Sequence, residues 1–233
     1  MTEVIFGVRP VIEALRSKRR EVFEVLDSTG DNEVVRLARE KGVSLKKVPR
    51  KTVDELVSGV HQGVAARVGG YPYSSLDEIL NSPKPLVVVL DGVTDPHNLG
   101  AVLRVADGAG ATGVVVPKDR AAQVNATAVK ASAGASEHVR VARVTNLRRA
   151  VDRMKEAEVW VYAAEGGGGK SHTDLDLTGP VAVVLGSEGK GVRRLVREGC
   201  DGAVSIPMLG AVSSLNVSVA AAVLLYEARR RRG

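Results

Sequence analysis

At 233 residues, 44% of them hydrophobic and 26% charged, the chain can bury one large core or two modest ones and has the balance of a globular protein. No apolar run reaches the roughly 18–20 residues that a membrane span needs, and MTEVIFGVRP lacks the charged-then-apolar order of a signal peptide, so a cytoplasmic protein with no membrane partner is expected. The net charge of +6 admits a polyanionic partner, while the single Cys200 and the absence of His, Cys or carboxylate clusters with ligand spacing argue against disulfides and a metal site.

The first 70 residues alternate short strand and helix patterns. VIFG reads as a strand, Pro10 to Ser17 as a helix, EVFEVLD as a second strand, and Asn32 to Lys41 as a helix with Val34, Val35, Leu37 and Ala38 inward and Gly42 as its stop. VSLKKV is a third strand, Thr52 is expected to cap a short helix reaching Val57, and GVAARV closes a small sheet. Residues 71–84 are rich in Pro and Ser and read as a linker with one helical turn at Leu76 to Leu80.

From Pro85 onward the strands are continuous apolar runs: LVVVLD, GVVVP, VWVYAA, VAVVLG and AVSIP. Helical patterns separate them, among them NLGAVLRVADGAG, TNLRRAVDRMKEAE and GVRRLVREG. Two-sided apolar strands alternating with helices predict a parallel sheet covered on both faces, and in such sheets ligands bind beyond the carboxyl ends of the strands. Polar loops follow strands in this way at DGVTDPHN, SEGKG and MLGAVSSLN. The last leads into a helix with Val217, Ala220, Ala221, Leu224 and Leu225 on one face, and Ser213, Ser214, Asn216 and Ser218 are more polar groups than a simple cap requires.

Basic residues cluster at Arg16, Lys18, Arg19 and Arg20, at Lys46, Lys47, Arg50 and Lys51, and at Arg229 to Arg232. These are either cations at the negative ends of helix dipoles or a surface for a polyanion. With only 3% aromatic residues, a base-stacking platform is not expected. Two further patterns are decoys. Gly108, Gly110 and Gly113 match a dinucleotide fingerprint but close a helix instead of opening one, and GKS at Gly169 to Ser171 lacks the first glycine of a phosphate loop, that place being Ala164. The second reads as a surface loop. Cys200 reads as a small core residue without a role.

DPHNLGAVLRVADGAGATGVVVP, VVLGSEGKGV and IPMLGAVSSLNVSVAAAVLLYEA, in this order and spacing, resemble the motifs of the SpoU (TrmH) family of RNA ribose 2′-O-methyltransferases, and GVRPVIEAL with VHQGVAARV resemble its substrate-binding domain. The resemblance spans nearly the whole chain and is closest to members that methylate a guanosine of 23S rRNA; a tRNA enzyme of the family and a non-catalytic RNA-binding member are the alternatives. It implies an α/β SPOUT-type catalytic domain at residues 85–233 with a parallel sheet and a C-terminal trefoil knot. A small α/β (L30e-like) RNA substrate-binding domain at residues 1–70, S-adenosylmethionine as cofactor and a homodimer are implied as well.

Site residues follow by the same resemblance. Arg104, Asn98, Glu188, Ser214 and Asn216 match the catalytic positions. A guanidinium gives up a proton reluctantly, so Arg104 is read as a positioner and stabiliser of the developing alkoxide or a clamp on a phosphate, with the proton passing to RNA phosphate or water. Asn98 is either a plain N-cap or the group that orients Arg104, and Glu188 is expected to hold Arg104 or the substrate. Gly186, Gly189, Ile206, Met208 and Leu215 match cofactor-binding positions, served largely by backbone groups. His97 could serve as a base but is expected to touch RNA, with Arg230 and Arg232. His61 and the adjacent Gln62 either touch RNA or are satisfied within their own turn.

Overall fold

The computed structural model describes residues 2–233. Its first unit runs β1 (Thr2–Phe6), α1 (Val8–Arg16), β2 (Val22–Asp27), α2 (Asn32–Glu40), β3 (Ser44–Lys47), α3 (Arg50–Leu56) and β4 (Val64–Gly69). Its sheet has the order β1-β4-β2-β3, with β4 antiparallel to β1 and β2, and β3 parallel to β2. Ile5, Val11, Leu15, Val25, Val34, Leu37 and Val68 are among the buried residues that join the helices to this sheet. Asp31 caps α2 by accepting from the Glu33 and Val34 amides. Val35 is only partly buried, so the inward face of α2 is narrower than its apolar residues suggest. Thr52 is not a cap. Pro49 sets the extended entry to α3, and the Thr52 amide already donates to the Pro49 carbonyl within the first turn.

Residues 71–84 are packed instead of hanging free. They carry α4 (Leu76–Leu80), whose start is fixed reciprocally by Ser75 and Glu78. Tyr71 is buried and its hydroxyl donates to the Ser136 carbonyl at 2.9 Å, while Tyr73 packs edge-on against its ring. Part of the first basic cluster serves this junction. The Arg20 guanidinium, 1% exposed, meets the Glu137 carboxylate, 0% exposed, through Nε–H to Oε2 at 3.0 Å and a second parallel bond. Arg19 donates to the Val139 carbonyl at 2.6 Å and the Pro72 carbonyl at 3.2 Å. Arg19 and Arg20 are therefore neither helix-end charges nor a polyanion surface.

The second unit continues with β5 (Leu86–Asp91), α5 (Pro96–Gly108), β6 (Gly113–Pro117), α6 (Ala126–Ala131), β7 (Val141–Val144), α7 (Leu147–Glu156) and β8 (Trp160–Ala164). It ends with β9 (Lys170–Ser171), β10 (Val181–Gly186), α8 (Arg194–Arg197), β11 (Gly202–Ser205) and α9 (Val217–Arg232). The sheet order is β7-β6-β5-β10-β8-β11-β9 and every pair is parallel. Every residue of β5 and β6 is buried, as the continuous apolar runs require. Alternate residues feed two cores: Val88, Leu90, Val114 and Val183 on the side of α5 and α9, Val87, Val89, Val115 and Val184 on the side of α7. Gly100 lets α5 press against α6, since a Cβ there would lie 2.5 Å from the Ala128 carbonyl oxygen.

The glycine decoy behaves as a helix end: α5 stops at Gly108, Gly110 turns with φ 70°, and β6 starts at Gly113. Gly169 to Ser171 is not merely a loop, because Lys170 and Ser171 pair with β11 as the edge strand β9. Helix α8 is only four residues long, shorter than GVRRLVREG suggests. Among the described residues no helix is long and apolar enough to cross a membrane.

Replacing Arg20 with Ala strands the Glu137 carboxylate in a site closed to water, and should lower stability in urea unfolding at neutral pH by about 3–5 kcal/mol. Lys18→Ala, two positions away on the surface, should stay within about 0.5 kcal/mol of the parent. Equal unfolding midpoints for the two variants would show that the buried pair does not hold in solution.

Candidate active site at the carboxyl ends of the strands

Because all strands of the second sheet are parallel, the loops after β10, β8 and β11 leave the same edge side by side. They enclose a cavity of about 320 Å³. Its apolar floor is Leu185, Val204, Val217 and Ala220. Around it stand Gly186, Gly189, Ile206, Met208 and Leu215, so all five residues matched to cofactor positions surround one space, together with Ser214 and Glu188.

The shape of the second loop follows from Gly186. A Cβ on this residue would lie 1.9 Å from the Gly191 carbonyl carbon and 2.3 Å from the Val192 nitrogen, so the chain folds back over the end of β10 only because no side chain is there. Gly189 and Gly191 turn with φ 78° and 64°, and the Gly191 amide donates to the Ser187 carbonyl at 2.9 Å. Asp91, buried at the end of β5, then grips the outgoing chain: its carboxylate accepts from the Arg193 amide at 2.8 Å and Arg193 Nε at 2.6 Å. Glu188 stands exposed at the tip of the turn, preceding α8 by several residues, so no helix dipole holds it.

Asn216 caps α9, accepting from the Ser218 amide at 2.9 Å and the Ser218 hydroxyl at 2.7 Å, and its Nδ2 donates to Asn98 Oδ1 at 3.0 Å. This amide pair ties the first loop to the third. Asn98 is not the cap of α5; Asp95 is, accepting from the His97 amide at 2.8 Å, which leaves the Asn98 side chain for Asn216. Arg104, six residues on, is exposed, and its guanidinium makes no hydrogen bond or ion pair among the described residues. Neither Asn98 nor Glu188 orients it within the chain.

The residues assigned to RNA separate into two groups. His97 and Arg230 are exposed. Arg230 is shared with Glu227, which accepts from it at 2.8 Å and from Arg231 at 2.7 Å; these bonds, Arg230 first, hold the Glu227 carboxyl down at about 2. Arg232 departs from the expectation of an RNA contact, and His61 takes the local alternative open to it. The Arg232 guanidinium donates to the carbonyls of Leu177 at 2.9 Å, Lys84 at 3.0 Å, Pro85 at 3.3 Å and Gly179, so it anchors the end of α9 instead of facing outward. His61 is buried, with Nε2–H donating to Asp54 at 2.7 Å and Nδ1 accepting from the Gly63 amide at 3.0 Å. Neither ring nitrogen is left for a ligand. Gln62 accepts from Lys130 Nζ at 2.7 Å, a contact between the two units. The Cys200 thiol, pushed up to about 11 chiefly by burial, donates to the Val196 carbonyl and is no nucleophile.

The end of β8 and the loop after it are absent from the sequence motifs yet line the cavity with Ala164, Glu165 and Gly166. Its position after a predicted apolar strand was the signal, obscured by the resemblance of GKS to a phosphate loop.

The model of the SpoU rRNA Methylase family matches residues 85–226, and that of the RNA 2′-O ribose methyltransferase substrate-binding domain matches residues 4–74. The chain is 44% identical to the 23S rRNA (guanosine-2′-O-)-methyltransferase RlmB of Escherichia coli (strain K12) over 243 residues, all of both chains. It is 46% identical to RlmB of Haemophilus influenzae, covering 100% of this chain and 99% of the relative. Among solved structures, the SpoU methyltransferase AviRb of Streptomyces viridochromogenes in complex with AdoMet superposes with a TM-score of 0.85 at 29% identity, covering 98% of this chain and 89% of that one. The A. aeolicus TrmH/SpoU tRNA modifying enzyme gives a TM-score of 0.58 at 30% identity and covers 67% of this chain and 80% of its own.

The close approach at Gly186 sets a stability test. Gly186→Ala should destabilise the protein by about 1–3 kcal/mol through overpacking, read as a lower urea midpoint. An unchanged midpoint would mean that the loop does not fold back on β10 in this way.

Proposed function

Because the chain belongs to the SpoU rRNA methylase family, we propose that it transfers the methyl group of S-adenosylmethionine to a ribose 2′-OH, that of a guanosine in 23S rRNA. The observation that carries this reading is the single cavity in which Gly186, Gly189, Ile206, Met208 and Leu215 meet, with Ser214 on its wall and the Asn98–Asn216 pair holding two of the motif loops together. The cavity suits the cofactor. Its volume of about 320 Å³ lies within the usual range for small-molecule sites, its floor is apolar as an adenine requires, and Gly186, Gly189 and Gly191 place backbone without side chains along its lining. Bound there, the cofactor supplies an electrophilic methyl group on a cationic sulfur.

The residues divide the remaining work. Ser214 on the cavity wall and Asn216 beside it are the groups assigned to the approaching 2′-OH, and Asn98 fixes the Asn216 amide. Arg104, without a partner among the described residues, holds a phosphate or stabilises the developing alkoxide, and the proton leaves to water or to RNA phosphate. His97 and Arg230 extend the RNA surface, with Lys47, Arg50 and Lys51 exposed on the N-terminal unit. On this reading residues 1–70 bind RNA, 71–84 join the units, and 85–233 perform the transfer. On the same reading the protein works in the cytoplasm.

The substrate assignment rests on coverage. The RlmB relatives extend over the N-terminal unit, whereas the tRNA enzyme leaves about a third of this chain unmatched. Val219 and Tyr226 on α9, and Leu209 and Val212 on the preceding loop, are large apolar groups left exposed, and a second copy covering them would make the homodimer. The trefoil knot belongs to the same reading: β10 lies between β5 and β8, and α9 returns after β11 to pack on α5 and β10.

Single-turnover methylation of protein-free 23S rRNA tests the assignment. The parent should form 2′-O-methylguanosine, Arg104→Ala should lose at least about a hundredfold in rate, and Arg104→Lys should regain only a small part because it lacks the planar fork. Cofactor affinity should hold in both variants. No methylation by the parent on any rRNA, or a lysine variant that recovers parental rate as pH rises, would contradict the reading or the role of Arg104 respectively.

A further inference from the structure

The loop after β8 brings one group that the motifs do not contain. Glu165 directly follows β8, its amide donates to the Val204 carbonyl of β11 at 2.9 Å, and its carboxylate lines the cavity. Its side chain is 26% exposed and its Oε1 lies 3.5 Å from Arg197 Nε. Beyond it the chain is Gly166 to Gly169, so no bulky side chain competes for the space; even a Cβ on Gly168 would come to 3.5 Å from Glu165 Oε2. Among the described residues the only other charged residue around the cavity is Glu188, which is exposed and unpaired, and no Lys, Arg or His lines it. A chain of net charge +6 thus presents only negative groups at this one place.

We propose that Glu165 is the counter-charge by which this cavity prefers the cationic cofactor to the neutral product left after methyl transfer. The inference rests on the reading of the cavity as the S-adenosylmethionine site. In the transfer the S–CH₃ bond breaks, the electron pair stays on sulfur, the methyl carbon bonds to the ribose oxygen and the hydroxyl proton leaves to water or phosphate. The sulfonium becomes a neutral thioether, S-adenosylhomocysteine, while the ammonium and carboxylate of the amino-acid portion are unchanged. Only a charge that acts on the sulfur can distinguish the two. A carboxylate on a cavity wall, its backbone pinned to β11 and its oxygen beside a guanidinium, acts through less water than a freely moving surface group. Its attraction disappears as the methyl group departs, which favours release of product and entry of the next cofactor. Arg197, which pairs with the carboxylate from outside the cavity lining, tempers this field.

Calorimetric titration of S-adenosylmethionine and S-adenosylhomocysteine into the parent, Glu165→Gln and Arg197→Ala decides it, with no RNA present. Glu165→Gln should weaken S-adenosylmethionine about threefold to tenfold and leave S-adenosylhomocysteine within about twofold, as one screened charge contact allows. Arg197→Ala should move the ratio of the two affinities the other way, and the parent's preference should shrink with added salt. Retained S-adenosylhomocysteine binding reports that each variant is folded. Equal weakening of both ligands would overturn the proposal by assigning Glu165 to the shared amino-acid or ribose portion, and so would no effect on either. A parent that binds neither ligand would defeat the functional reading itself, a result distinct from these.

Discussion

The end of β10 has no room for a side chain, and much of the site depends on that. Gly186 lets residues 187–192 fold back across the strand end, which closes one wall of the cavity and delivers Arg193 to the buried carboxylate of Asp91. Because Asp91 ends β5 and β5 pairs with β10, the clamp fixes the second motif to the strand that precedes the first. The Asn98–Asn216 pair then fixes the first motif to the third. Three segments far apart in sequence are registered by one close backbone approach and two polar contacts, on a sheet whose apolar burial supplies rigidity.

Basic charge is divided by burial. Arg19, Arg20 and Arg232 look from the sequence like surface cations, but each gives most of its donors to carbonyls or a carboxylate inside the protein. They join the N-terminal unit to Glu137 and Val139 and pin the end of α9 near Pro85 and Leu177. Arginine suits these positions because its planar fork reaches several acceptors at once. Arg104, Arg230, Arg50 and Lys51 keep their charge at the surface, where a polyanion can reach it. The same net charge therefore serves two ends, and only burial tells them apart.

What could be read from the sequence follows the same division. The buried strands β5, β6 and β10, the helices between the strands and the place of the polar loops at strand ends were legible, because apolar runs and strand-end loops obey rules with a fixed period and direction, whereas Gly186, Ile206, Met208 and Leu215 were singled out only through the resemblance to the family. β7 and β9, at four and two residues, are too short to carry a period. The cap at Asp95 was missed because Asn98 is an equally good capping residue by type, and three-dimensional pairing with Asn216 decided between them. His61 was left between RNA and its own turn because its side chain suits both, and no pattern in the chain shows that Leu177, 55 residues away, lies within reach of Arg232. Glu165 escaped because its loop has no motif of its own.

The central claim is that one cavity, at the carboxyl ends of β8, β10 and β11, takes the cofactor. Methyl NMR of protein labelled at Ile, Leu, Val and Met, titrated with S-adenosylmethionine, tests it most directly. The signals of Ile206, Met208, Leu215 and Val204 should shift together and saturate with one affinity, while those of Ile5 and Ile12 in the N-terminal unit stay in place. Saturable shifts elsewhere with Ile206, Met208 and Leu215 unmoved would place the cofactor outside this cavity and contradict the account.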